Sequence, residues 1–89
     1  MEYIAYRVGS GYDRPPVELS RGSIAEARKA GEEYLLSLYG RLPTREPKEL
    51  DVWVDIETED GTKVESIYPS HGRKSRFIVD KPGGQGFRY

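Results

Sequence analysis

From Leu50 to Glu65, apolar and acidic side chains take turns: Leu50, Val52, Val54 and Ile56 alternate with Asp51, Asp55 and Glu57. Trp53 falls on the acidic side of that pattern. A period of two is the mark of a strand with one face buried, and Asp60-Gly61 is a turn signal, so the stretch predicts a β-hairpin. Two turn geometries are open. A two-residue loop would set Ile56 opposite Glu65 and leave Val64 facing water. A three-residue loop, Glu59-Asp60-Gly61, with Gly61 left-handed as a bulge, pairs Ile56 with Val64 and Val52 with Tyr68. A one-residue slip exchanges the two faces of a strand, and the hydrophobic pattern favours the second geometry.

The same reading gives the rest of the chain. Ile4, Tyr6 and Val8 alternate with Tyr3, Ala5 and Arg7 in a first strand. The loop Gly9–Pro16 leads to a short strand, Val17–Ser20, expected at a sheet edge because prolines precede it. Ser23-Ile24-Ala25-Glu26 is a capping box, and Ile24, Ala27, Gly31, Leu35 and Leu38 then follow helical spacing towards a C-terminal cap at Gly40. Gly31 lies mid-face, where glycine costs about 1 kcal/mol against alanine. That position predicts a close approach of helix to sheet. Residues 42–49 form a linker, Ser75–Asp80 a last strand, and 81–89 a flexible glycine-rich tail. The expected fold is α+β, a single small domain over 1–80 in the order β-β-α-β-β-β, with one helix packed on one face of an antiparallel sheet. Tyr6, Tyr34 and Tyr68 fit core positions. Tyr12, Tyr39 and Tyr89 lie beside loops, where they extend a surface or cap the core's edge.

Composition narrows the functional classes. With 89 residues the core is small, and with no cysteine there are no disulfides, thiolate metal sites or cysteine nucleophiles. The N-terminus lacks the form of a signal peptide and no apolar run spans a membrane, so a cytoplasmic location is expected. Charge is uneven along a chain of net −1: residues 1–45 carry +1, 46–65 carry −6 and 66–89 carry +4. Such asymmetry bears on partners.

Three sets of residues are candidates for function. The first is Trp53 with Asp51, Asp55, Glu57, Glu59, Asp60 and Glu65. An aromatic anchor among carboxylates suits a protein partner with a basic surface, and can present carboxylates where that partner expects phosphates. Against this stands an ordinary solvated sheet face. In size and charge the chain is similar to small bacteriophage-encoded inhibitors of host defence nucleases, a likeness of composition alone. The second set is basic and aromatic: Arg73, Lys74, Arg76, Phe77, Lys81, Phe87 and Arg88, with Tyr89 beside them. These suit phosphate contact and base stacking on RNA or DNA, or simply neutralise the acidic strands and guard an edge. The third is His71, the only histidine, with Glu65, Ser70, Arg73 and Lys74 nearby, as a metal-free ribonuclease would need. Pro-Ser-His-Gly is also an ordinary turn. No zinc, phosphate-loop, nucleophile-elbow or calcium-loop pattern occurs, and no cofactor is expected.

These residues rank a non-enzymatic protein-binding module first, an inhibitor or accessory protein of a nucleic-acid-processing complex being its elaboration. Weak nucleic-acid binding comes second and the ribonuclease third. The edge strands leave homodimerisation open.

Overall fold

A computed structural model of the chain describes residues 2–9, 16–40, 42, 52–70 and 76–81. Strands β1 (Tyr3–Gly9) and β2 (Val17–Gly22) precede helix α1 (Ile24–Tyr39); β3 (Val52–Thr58), β4 (Lys63–Pro69) and β5 (Phe77–Asp80) follow it. The strands form one five-stranded antiparallel sheet in the order β2-β1-β3-β4-β5, with β3 at its centre. The helix packs on one face, as the sequence predicts, and β2 takes its expected edge.

Both helix ends form as anticipated. The Ser23 hydroxyl accepts the Glu26 N–H at 3.1 Å and the Glu26 carboxylate accepts the Ser23 N–H at 3.0 Å. Those backbone and side-chain bonds hold the Glu26 carboxyl below its ordinary pKa. Gly40, at φ +71°, donates its N–H to the Leu36 carbonyl and ends the helix.

Beneath the helix the core consists of Ala5, Ala27, Leu35, Leu42, Val54, Ile56 and Ile67. Gly31 fulfils its role: a Cβ there would lie 2.9 Å from Val54 Cγ1 and 3.4 Å from Ile67 Cδ1. Tyr34 packs against this core, and so does Tyr39, whose hydroxyl accepts the Val52 N–H at 3.2 Å. Leu38 departs from expectation: it is 46% exposed, while Leu36 takes the inward position beside the core.

The hairpin turn is the three-residue one. Thr58 N–H donates to Thr62 O at 2.9 Å, Gly61 N–H to Thr58 O at 3.0 Å, and Gly61 has φ +89°. The strands beyond it correct the predicted register. A second irregularity, between Ile56 and Glu57, leaves Val64 bulged and restores the pairs Ile56–Glu65, Asp55–Ser66 and Val54–Ile67. So Glu65 and Ile67 turn under the helix, and Tyr68 turns away from it. The cause is space: at Gly31 the helix lies so close to β3 and β4 that an aliphatic chain fits and a tyrosine ring does not. Tyr6, expected in the core, is likewise corrected. Ala5 pairs with Ile56 under the helix, which sends Ile4, Tyr6 and Val8 to the other face.

Candidate functional site

That other face, called open because none of the described helices covers it, gathers most of the chemistry. Paired residues of neighbouring strands share a face, so its rows can be read from the register. Val8 pairs with Trp53, Trp53 stacks on Tyr68 with ring centroids 5.6 Å apart and planes inclined by 30°, and Tyr68 pairs with Ile78. One apolar row therefore crosses β1, β3, β4 and β5. Its members are partly buried. The next row is polar: Tyr6 pairs with Asp55, Asp55 with Ser66, and Ser66 with Asp80. Beyond it Ile4 pairs with Glu57 and Glu57 with Lys63.

The carboxylates assigned to this face divide into three groups. Asp55 is there but only 5% exposed; it accepts the Ser66 hydroxyl at 2.7 Å and lies 3.3 Å from Lys63 Nζ. Glu57 is partly buried, and its carboxylate accepts no hydrogen bond or ion pair from the described residues. Glu59 and Asp60 sit at the exposed hairpin tip, where Glu59 accepts the Glu2 N–H at 2.9 Å. Asp60 accepts the Thr58 hydroxyl and, at 3.0 Å, the Thr62 N–H. Those two bonds, the hydroxyl first, hold its carboxyl below the ordinary range.

Glu65 does not belong to the set. It is 1% exposed on the helix side, where both its oxygens accept from Arg28, Nε and Nη2 each at 2.9 Å. A buried carboxylate needs such a partner, and this one is bidentate. The pairing raises the Arg28 pKa, the hydrogen bonds being the main cause. Beside the pair, a cavity of about 340 Å³ opens between the helix flank and β5, lined by Arg28, Glu32, Glu65, Ile67, Val79 and Lys81. Glu65 is spent on Arg28, so the cavity offers no free buried charge.

The basic-aromatic set is only partly placed. Arg76 and Lys81 are exposed at the two ends of β5, but Phe77 packs against the helix-side core and is no stacking platform. Asp51, His71, Arg73, Lys74, Phe87 and Arg88 lie outside the described residues. Among the described residues no three metal-ligating side chains converge, and no helix is long and apolar enough to cross a membrane.

Sequence reasoning missed Tyr68 as the stacking neighbour of Trp53 and Tyr6 as its diagonal one. What decides their placement is long-range: beneath Gly31 there is room for Ile67 and not for a tyrosine ring. No known protein family matches the chain, and no curated protein or solved structure shows significant similarity to it.

Proposed function

We propose that the chain is a non-enzymatic protein-binding module that docks a partner with a basic surface on the open face of its sheet. The observation that carries the reading is the Trp53–Tyr68 stack within the row Val8–Trp53–Tyr68–Ile78. Two large aromatic side chains on a sheet face supply contact area at low entropic cost, and such residues concentrate binding energy. Acidic neighbours steer a basic partner towards them. An inhibitor or accessory protein of a nucleic-acid-processing complex fits this description. Literal mimicry of a phosphate array has less support, since Glu65 is turned inward and Asp55 is already paired.

The test is affinity capture of a partner by the intact chain, repeated with Trp53→Ala and Tyr68→Ala beside thermal melts. Expected is at least a tenfold loss of the identified partner for either variant, about 1.4 kcal/mol or more, with melting little changed. Unchanged capture overturns the reading. So does a collapse of the Trp53→Ala fold by several kcal/mol, which would make the ring a core residue.

A further inference from the structure

We propose that the cavity between the helix flank and β5 binds a free α-amino acid with an aliphatic side chain, held as its zwitterion. The site lies on the helix side of the sheet, opposite the Trp53–Tyr68 row. It therefore goes beyond the docking reading and stands independently of it.

Three elements supply the walls. Arg28 and Glu32 are one turn apart on α1 and form the helix wall. Ile67 of β4 and Val79 of β5 are a cross-strand pair and give an aliphatic floor. Lys81, directly after β5, is exposed and completes the rim. At about 340 Å³ the cavity lies near the lower end of ligand sites, about 300–1,000 Å³, and suits a small molecule.

Charge is divided between the walls. Arg28 is already claimed, its Nε and Nη2 held by the two oxygens of buried Glu65 at 2.9 Å. Glu65 is the main cause of the raised Arg28 pKa, and Glu32 adds to it from nearby. Yet among the described residues the Glu32 carboxylate accepts no hydrogen bond and enters no ion pair, and the Lys81 ammonium is likewise unpaired. The helix wall thus sets two carboxylates against one guanidinium, while the β5 end carries an ammonium. Aliphatic side chains lie between these opposite excesses.

A complementary ligand turns a cation to Glu32, an anion to Lys81 and an apolar group to the floor. An aliphatic α-amino acid carries all three around one carbon. A simple carboxylic acid would leave Glu32 covered without a partner, and a simple amine would do the same to Lys81, which costs free energy in either case. A nucleotide would bring several negative charges against a wall where carboxylates outnumber the cation. The cavity selects a small zwitterion.

The experiment titrates the full chain with L-leucine, N-acetyl-leucine, leucinamide and glycine, following the Ile67 and Val79 methyl resonances. Leucine is expected to shift them saturably. The acetylated compound lacks the ammonium and the amide lacks the carboxylate; each is expected to bind about three- to fivefold more weakly, the worth of one partly exposed ion pair. Glycine, which offers the floor nothing, is expected to leave them still. Glu32→Gln should lower leucine to the affinity of N-acetyl-leucine, and Lys81→Gln to that of leucinamide, with both melting temperatures unchanged. Methyls that do not move at millimolar leucine overturn the proposal. So does an affinity that ignores the loss of either ligand charge or survives both substitutions. A response at the Trp53 indole N–H without one at the methyls would put the ligand on the open face, and methyl shifts that follow protein concentration alone would give the cavity to a second copy; either result also overturns it. None of these outcomes bears on the docking reading, which partner capture tests.

Discussion

Each face of the sheet holds one nearly buried carboxylate beside one half-exposed cation, and the two arrangements have different consequences. Under the helix, Glu65 is gripped by both ends of the Arg28 fork at 2.9 Å. On the open face, Asp55 has a single longer contact to Lys63 at 3.3 Å, and its firmer partner is the neutral Ser66 hydroxyl at 2.7 Å. The side chains around them differ as well. Ala5, Ala27 and Gly31 let the helix descend onto Val54 and Ile67, whereas the open face carries Tyr6, Trp53 and Tyr68. Where the helix comes closest the side chains are small or aliphatic, with Tyr3 and Phe77 packed against the core around them, and the other face carries the Trp53–Tyr68 stack. A charge placed beneath the helix is structural because nothing else can reach it. On the other face Asp55 is also nearly buried and paired, and the carboxylates left partly exposed beside the aromatic row are Glu57 and Asp80.

If that contrast is right, removing the two cations will have unequal effects. Arg28→Ala leaves Glu65 buried without a partner. Such a break costs about 3–5 kcal/mol when both ions are buried, and about 2–3 here because the Arg28 side chain is 43% exposed and water can enter beside it. Lys63→Ala leaves Asp55 its Ser66 hydrogen bond and costs about 0.5–1 kcal/mol. Removing the buried acid instead is the sharper check: Glu65→Leu should stay within about 1 kcal/mol of the parent, since Arg28 returns to water and an apolar chain fills the site. Urea unfolding of the three variants measures all of this. Equal losses for Arg28→Ala and Lys63→Ala would erase the distinction between the faces.

Closure of the helix side has its own test in Gly31→Ala. Alanine improves helix propensity by about 1 kcal/mol. Its methyl would start 2.9 Å from Val54 Cγ1 and 3.3 Å from Val54 Cβ, and both of those atoms belong to a branched side chain held in the core. Overpacking of this kind costs about 1–3 kcal/mol. The net expectation is a loss of about 1 kcal/mol, read as a lower melting temperature. A higher one would mean that the helix has room to rise, and that tight apposition does not explain why Tyr68 faces outward.

The fate of Tyr68 also shows how far the sequence could be read. Element order, both helix caps, the glycine under the helix and the left-handed Gly61 all depend on residues within a few positions of one another, and local chemistry determines them. Strand faces do not. The alternation of Leu50–Ile56 was read onto β4 through the turn, and one bulge at Val64 reversed every assignment beyond it. Glu65 therefore moved from the partner-facing set into an ion pair, and Tyr68 moved from the core to Trp53. Pattern alone could not show that bulge, because what settles it is the fit of Ile67 beneath Gly31, a contact between residues far apart in the chain. Trp53 itself stayed where its parity put it.

The weakest effects belong to carboxylates on neither face. Glu26 at the helix start and Asp60 at the hairpin tip stand in water, each held below its ordinary pKa by local hydrogen bonds. A depressed folded-state pKa adds stability above the unfolded-state value, and that stability is lost as pH falls through the folded-state value. The window therefore opens at ordinary carboxylate values, about pH 4, and extends downward. A Glu26→Gln, Asp60→Asn double variant should melt slightly below the parent at pH 7, and the gap should close between pH 4 and 2. Melts across that range decide it. A gap that persists at pH 2 would show that the amides disturb the capping box and the turn by shape, and that ionisation has no part in them. A gap at pH 7 as wide as that of Arg28→Ala would be more damaging. Burial would then cease to rank the carboxylates, and with it would go the argument that separates the two faces.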